Sequence, residues 1–318
     1  MIIRSRAPVR ISLGGGGTDL FPYIENNTGV VLSTTIDRYA YATVSKSETF
    51  EHKSNFDSAA VDWFDRIKDG PLSTDYFTEA PAGSGLGGSS SLMVALVKAL
   101  SKYYGNVMSA HEIAEAAWHV ERRKLGIEGG YQDQFAAAYG GWNIMQFKGN
   151  ARMYTGCETT VCRLFIGEDI LMELLASLIL VDLGKSRVSS GIIKRQVTNY
   201  AKPEIVKVLD TINDITLKIQ RNLISGHLKE LGLLLSEEWM QKKKLEKHIS
   251  NATIDRFHTT MLRRGAIGGK LLGAGDGGHM LFLSDLSKRQ DLLHCISDFG
   301  FKHIPFRFDS QGVVAWTL

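Results

Sequence analysis

The chain has 318 residues, of which 44% are hydrophobic and 22% charged, and its 37 basic and 34 acidic side chains give a formal net charge of +3. This composition is typical of a soluble globular protein with enough core for two modest domains or one large one, and the basic excess is too slight to indicate nucleic acid as a partner. The longest apolar stretch, at residues 174–181, is far shorter than the roughly 20 residues of a membrane span, and residues 1–4 do not begin a signal peptide. We therefore expect a cytoplasmic protein that binds small molecules and neither nucleic acid nor a membrane.

The chain opens with strands predicted at residues 2–6 and 9–13, followed by four consecutive glycines, Thr18 and Asp19. This segment, residues 14–19, is called glycine loop 1. A run of glycines at the end of a strand indicates a close approach of the backbone to another segment or to a ligand. Arg10 and Asp19 flank the loop, either as a surface ion pair or as a fixed cation and anion beside a ligand. Next, the pattern predicts a hairpin at 30–36 and 39–45, a short helix near 61–67 and a strand at 76–79.

Glycine loop 2, residues 83–91, precedes an apolar run at 92–100 that is typical of a buried helix. Its glycines allow close contact between backbone N–H groups and a ligand, and its last serines lie where the positive end of the helix begins. The loop lacks the Gly-Lys-Ser/Thr of a Walker A loop and the glycine spacing of a dinucleotide fold. A flexible linker would not run directly into a long apolar helix, so the loop is interpreted as a site for a polyphosphate.

Two carboxylates stand out in the segment that follows. A helix is expected at 110–123, with Ser109 and Glu112 as a capping box, and Glu121 then lies at the negative end of the helix dipole. Such a position requires a cation nearby. Asp133 follows a Gly-Gly turn at the start of the next helix, where position alone favours a role as the N-cap of that helix.

The second half alternates strands and helices. A hairpin is predicted at 142–147 and 151–154, strands at 161–166 and 178–183, and a helix at 170–176. Residues 184–190, which hold two cations and three hydroxyls, are either a site for an anionic substrate or a solvated loop. Helices follow from 192 to 247, in which lysines 242–244 are interpreted as a solvated face, and at 254–264. Glycine loop 3, residues 268–278, has no helix after it and can close over glycine loop 2. A helix at 286–299 and strands at 302–308 and 313–317 complete a split βαβ pattern.

Residues 7–11, 83–91 and 270–278 resemble, in order and spacing, the three motifs of the GHMP small-molecule kinases, and this resemblance covers almost the whole chain. It implies an α+β fold of two domains. Residues 1–170 would be similar to domain 2 of ribosomal protein S5, and residues 171–318 would form a ferredoxin-like split βαβ domain. Within the family, residues 10–20 and 129–134 resemble the branch of D-glycero-D-manno-heptose 7-phosphate kinases. That branch implies phosphoryl transfer from ATP, with Mg²⁺, to the anomeric C1 hydroxyl of a sugar phosphate.

The resemblance also assigns roles to single residues. Asp133 would be the catalytic acidic residue rather than an N-cap, and Arg10 would stabilise the attacking oxygen and the transferring phosphoryl group. Ser89 and Glu121 would contact the metal. The predicted ATP site comprises Gly83, Ser84, Gly85, Leu86, Gly87, Gly88, Ser89, Ser90 and Ser91. The predicted sugar site comprises Gly16, Gly17, Thr18, Asp19, Gly275 and Asp276, with Lys185, Ser186, Arg187 and Ser189 as a second anion site.

The sequence departs from the family pattern at two positions. Gly88 stands where many relatives have the first serine of a pair, and Asp276 interrupts a run that is commonly glycine, so its carboxylate must point away from the phosphates or meet a cation. Two alternatives to the heptose phosphate kinase stay open. One is a kinase for another sugar, such as fucose or galactose, and the other is a nucleotide- or sugar-binding regulator that has lost activity. The expected partners are a small sugar phosphate and ATP, with a homodimer as the candidate assembly.

Overall fold

The computed structural model describes residues 1–64, 70–81, 83–184 and 189–318. Within these residues, seven strands form the first sheet, in which every pairing of strands is antiparallel and β2 lies at the centre. The strands are β1 (Ile2–Gly14), β2 (Thr28–Lys46), β3 (Leu72–Thr78), β4 (Asn143–Gly149), β5 (Cys157–Arg163), β10 (Phe308–Asp309) and β11 (Val314–Thr317). The last two come from the end of the chain, so the first sheet is completed by residues far away in sequence.

The structure corrects three connections that were predicted for this sheet. Residues 2–6 and 9–13 form one strand, β1, and residues 30–36 and 39–45 form another, β2. The pairing of β1 with β2 shifts register after Pro8, so that Asp37 and Arg38 form a bulge within β2 instead of a turn. The backbone N–H of Asp37 donates to Arg307 at 3.0 Å instead of closing a turn. Residues 151–154, predicted as a strand, form the turn between β4 and β5.

The second sheet has the predicted split βαβ arrangement. Its strands are β6 (Leu178–Asp182), β7 (Ala266–Leu271), β8 (His279–Ser284) and β9 (Lys302–His303), in the order β7-β8-β6-β9. Strand β8 lies antiparallel between β6 and β7. The strand predicted at 302–308 therefore splits into β9 and β10, which belong to different sheets.

The helices cover both sheets. They are α1 (Tyr23–Asn26), α2 (Asn55–Trp63), α3 (Gly88–Tyr103), α4 (Ala110–Trp118), α5 (Gln132–Tyr139), α6 (Glu168–Ser177), α7 (Ser189–Asn199), α8 (Pro203–Ile224), α9 (Leu228–Lys242), α10 (Ala252–Arg263) and α11 (Arg289–Asp298). Buried apolar side chains of α3, such as Met93, Val94 and Leu96, pack in the main core with residues of β1 and β2. The predicted capping box of Ser109 and Glu112 is confirmed at α4. That helix continues as a π-helical segment, His119–Lys124, which carries Glu121.

The predicted division into residues 1–170 and 171–318 stays a prediction. Strands β10 and β11 pair with β2 and β1. A boundary at residue 170 would therefore assign these two strands to the second unit, although they belong to the first sheet. In the described part of the chain, we find no helix that is both long and apolar enough to cross a membrane.

Candidate active site

A cavity of about 320 Å³ lies where the three glycine loops meet. Its wall also includes the first turns of α3 and α5, the π-helical segment, and the C-terminal end of α9. Glycine loops 2 and 3 are in direct contact, as expected, because a Cβ at Gly273 would come within 2.4 Å of the Gly85 Cα. His279 ties the loops further, with its Nδ1 at 2.8 Å from the carbonyl oxygen of Ser84. Burial lowers the pKa of His279, which favours the neutral ring at this contact.

Within glycine loop 2, Gly87 has a left-handed backbone with φ 75° and immediately precedes α3. Among the described residues, no side chain caps this helix, so the N–H groups of its first turn are free of a side-chain acceptor, and Gly88, Ser89 and Ser90 line the cavity. Together with the positive end of the helix dipole, they form a site for an anion such as phosphate.

Arg10 and Asp133 form an ion pair in the cavity wall, in which the Arg10 side chain is buried. The Nε of Arg10 donates to Asp133 Oδ1 at 2.8 Å, and its Nη2 lies 2.7 Å from the same oxygen. A third donor, Nη1, reaches the carbonyl oxygen of Gly85 at 2.5 Å. Arg10 therefore holds the carboxylate of Asp133 beside glycine loop 2, and the alternative of a surface ion pair between Arg10 and Asp19 is wrong. The Asp133 side chain keeps 22% of its surface exposed, so a ligand can reach it.

Asp19 performs the capping role that position alone suggested for Asp133. Its Oδ2 accepts the backbone N–H groups of Tyr131 and Gln132 at 2.9 and 3.0 Å, at the N-terminal end of α5. Burial raises the pKa of Asp19, and these amide hydrogen bonds oppose that shift by stabilising the charged form. Glycine loop 1 is thereby attached to the helix that carries Asp133.

Glu121 is buried and bonded through both of its oxygens. Its Oε1 accepts from the hydroxyl of Ser89 at 2.7 Å, and its Oε2 accepts from Ser90 at 2.7 Å and from Gln134 at 2.6 Å. The cation that its position requires is Arg122, whose Nη1 lies 3.4 Å from Oε1. A hydroxyl beside a carboxylate suits Mg²⁺, which in phosphate sites takes one or two carboxylates and completes its shell with phosphate oxygens and water. Within the described residues, no group of three or more His, Cys, Asp or Glu side chains could hold a metal ion.

Two lysines in the cavity wall were missed as site residues. Lys242 is only 5% exposed and its Nζ donates to the carbonyl oxygen of Gly273 at 2.6 Å, so the interpretation of residues 242–244 as a solvated face is wrong for Lys242. Lys270 is paired with the buried Glu238 and also donates to Leu13 at 3.1 Å. Helical spacing could have found Lys242, because it shares a face of α9 with the buried residues Leu231, Leu235, Glu238 and Trp239.

The structure brings most of the predicted site residues to this cavity. Its wall contains Arg10, Gly16, Gly17, Asp19, Gly83, Ser84, Gly85, Gly87, Gly88, Ser89, Ser90, Glu121, Asp133 and Gly275. Among the predicted residues whose side chains the structure describes, four lie outside the wall. Thr18 bonds within glycine loop 1, Leu86 packs in the core, Ser91 donates to Pro8, and Asp276 accepts from Asn251. The carboxylate of Asp276 was expected either to point away from the phosphates or to meet a cation. The first holds, because Asp276 bonds to Asn251 and lies outside the cavity wall.

The predicted second anion site lies mostly outside the part of the chain that the structure describes. Lys185, Ser186 and Arg187 lie outside the described residues, and Ser189 is described only as the first residue of α7. From this helix, Ile193 and Gln196 reach the cavity wall.

Comparison with known proteins identifies relatives along nearly the whole chain. Residues 55–141 match the model of the GHMP kinases N-terminal domain. The chain is 32% identical over 345 residues, 99% of both chains, to the D-glycero-alpha-D-manno-heptose 7-phosphate kinase of Campylobacter jejuni subsp. jejuni serotype O:2. Among solved structures, it is similar to a D-glycero-D-manno-heptose 1-phosphate kinase from Bacteriodes thetaiotaomicron, with a TM-score of 0.79, 25% identity and 99% coverage of both chains.

The galactokinase of Lactococcus lactis shares the fold, with a TM-score of 0.76 at 16% identity, over 98% of this chain and 95% of the other. These similarities extend over nearly the whole chain and include the family domain that contains glycine loop 2, Glu121 and Asp133. The chain therefore belongs to the GHMP kinase family, as an ATP-dependent phosphotransferase that acts on a hydroxyl group.

Proposed function

We propose that this kinase phosphorylates the anomeric C1 hydroxyl of D-glycero-D-manno-heptose 7-phosphate and forms the 1,7-bisphosphate. The observation that carries the proposal is the Arg10–Asp133 pair, which lies in one cavity with the N-terminal end of α3 and a second glycine-rich wall. The similarity to a heptose 7-phosphate kinase along 99% of both chains supports the choice of acceptor. The name of the Bacteriodes relative favours a second candidate, transfer to a heptose 1-phosphate.

In the proposed reaction, the acceptor oxygen attacks the γ-phosphorus of ATP in line with the bond to the β–γ bridging oxygen, which breaks and leaves ADP. Asp133 accepts the proton of the attacking hydroxyl, since its carboxylate is held and partly exposed in the cavity wall. Arg10 cannot act as a base, but its guanidinium stabilises the negative charge on the attacking oxygen and on the transferring group.

The N–H groups of glycine loop 2 and of the first turn of α3 are proposed to bind the ATP phosphates. Ser89 and Glu121 are proposed to hold Mg²⁺ through a hydroxyl and a carboxylate oxygen that already lie 2.7 Å apart. When bound, the metal neutralises charge on the phosphate oxygens. Arg122 and three hydrogen bonds hold the carboxylate of the buried Glu121 in place.

The acceptor is proposed to bind along glycine loop 1, at Gly16, Gly17 and Asp19, with Gly275 on the opposite wall. From the sequence alone, Lys185, Ser186, Arg187 and Ser189 remain candidates for the acceptor's own phosphate. A cytoplasmic location fits a kinase that draws on ATP, and a homodimer remains a proposal.

The test is ADP release from Mg-ATP with a panel of acceptors. The panel contains heptose 7-phosphate, heptose 1-phosphate, unphosphorylated heptose, galactose and fucose. We expect the highest kcat/KM with heptose 7-phosphate and a product whose second phosphate is at C1 by ³¹P NMR. A preference for heptose 1-phosphate, galactose or fucose would assign another acceptor, and ADP release no faster than without acceptor would indicate a regulator.

A further inference from the structure

The proposed reaction gives no role to Lys242, one of the two lysines of the cavity wall. It lies at the C-terminal end of α9 and is 5% exposed. Within the described residues, the other cationic side chains of the wall each have a carboxylate partner, whereas Lys242 forms no ion pair and donates only to the Gly273 carbonyl, at 2.6 Å. The partnered cations are Arg10 with Asp133, Arg122 with Glu121, and Lys270 with Glu238.

The surroundings of Lys242 leave it short of negative charge. Burial is the main cause that lowers the pKa of Lys242 to about 8, and the neighbouring Lys270 and Arg10 lower it further. Glu238 and Asp19 act in the opposite direction, but Glu238 is already paired with Lys270. A buried ammonium with free N–H donors is costly unless an anion binds beside it. The site is therefore suited to a bound anion.

The position of Lys242 points to the acceptor rather than to ATP. A Cβ built on Gly16 would lie 3.3 Å from the Lys242 Nζ, so the glycine leaves the ammonium accessible from glycine loop 1. No hydrogen bond or ion pair joins Lys242 to glycine loop 2 in the described part of the chain. We infer that Lys242 binds the phosphate that the acceptor already carries before the reaction, an inference that rests on the proposed function. The free N–H groups of Lys242 would then donate to phosphate oxygens across the glycine face.

The test compares Lys242→Met with Lys244→Met. Lys244 belongs to the same lysine run, but it is exposed and, among the described residues, its ammonium donates only to Gln241. Its substitution therefore removes one charge without touching the cavity. For Lys242→Met, we expect KM for heptose 7-phosphate to rise roughly 10- to 100-fold, the range of a lost charged hydrogen bond. KM for ATP and kcat/KM for unphosphorylated heptose should stay within about threefold of the wild type. Lys244→Met should match the wild type in all three.

Direct binding separates this inference from the proposed function. Calorimetric titration of heptose 7-phosphate without ATP needs no turnover and should show the same loss of affinity in Lys242→Met. If the wild type transfers phosphate to heptose 7-phosphate and Lys242→Met binds it equally well, the inference fails while the function stands. If the wild type neither binds nor phosphorylates any sugar phosphate, both fail. A rise in KM for ATP equal to that for the acceptor assigns Lys242 to the nucleotide and also overturns the inference. Lys242→Gln, checked by its melting temperature, replaces Lys242→Met if the latter does not fold.

Discussion

Replacing Asp133 by asparagine tests the centre of the proposed mechanism. The new side chain has nearly the same size and keeps one oxygen that can accept from Arg10, but it cannot accept the proton of the attacking hydroxyl. Arg10 is only 4% exposed and would lose its anionic partner, while its bond to the Gly85 carbonyl would remain. Asp133→Asn thus separates loss of the proton acceptor from loss of the local geometry.

The expected magnitudes differ for the two effects. Loss of a general base lowers kcat by roughly 10²- to 10⁴-fold, which corresponds to about 3 to 5 kcal/mol on the barrier. The loss of charge beside the buried Arg10 destabilises the fold by about 1 to 3 kcal/mol, because the Asp133 side chain is partly solvated and the asparagine oxygen remains. At about 2 °C per kcal/mol for a chain of this size, the melting temperature should fall by only a few degrees.

The assay measures kcat and both KM values at 25 °C, with melting curves for each variant. Asp276→Asn is the matched control, because Asp276 carries the same charge in a neighbouring loop but bonds to Asn251 and lies outside the cavity wall. Its kcat should stay within about twofold of the wild type. A kcat of Asp133→Asn near that of the wild type would refute the role of Asp133 as proton acceptor. A fall in melting temperature above about 10 °C would mean that the pair is mainly structural.

Three further predictions concern the rest of the cavity. Gly85→Ala should lower the melting temperature and the affinity for ATP, because its Cβ would come within 2.6 Å of the Leu272 carbonyl oxygen. Gly105→Ala is the control, because Gly105 has a similar φ of 71° but open space around it. This substitution should add backbone strain of only about 1 kcal/mol. Equal effects on ATP binding would contradict the close packing of the two loops. Glu121→Gln should raise the Mg²⁺ concentration for half-maximal activity roughly tenfold or more, and an unchanged Mg²⁺ titration would remove it from the metal site. KM for the phosphorylated acceptor should be constant near pH 7 and rise above about pH 8, since deprotonation of Lys242 removes its charge, and this rise should be absent in Lys242→Met.

Local patterns in the sequence were sufficient for the family, the fold class and much of the candidate site. A glycine-rich loop before an apolar helix indicates phosphate binding because both the free N–H groups and the helix dipole are local properties. The expectation of a cation beside Glu121 also followed from the helix dipole alone, and it is met by the next residue, Arg122. The split βαβ order was recognisable from the alternation of strands and helices, and the second sheet confirms it.

Other features depend on contacts between segments that are distant in sequence. Asp37 and Arg38 look like a turn, but the register shift after Pro8 and the return of β10 make them a bulge in one long strand. From its position, Asp133 was predicted to cap α5. In the structure, the cap is Asp19, which accepts from the backbone of Tyr131, 112 residues later in the chain.

Lys242 is the clearest case in which the sequence alone led to a wrong interpretation. Composition treats a run of three lysines as solvated, since each charge is most stable in water. The helical repeat places Lys242 on the buried face of α9, and the packing of that face against glycine loops 1 and 3 takes its ammonium into the cavity. Local geometry can be predicted from residue types and their spacing along the chain. Which charges face one another depends on the packing of distant segments, because electrostatic partners are set by distance in space and by burial.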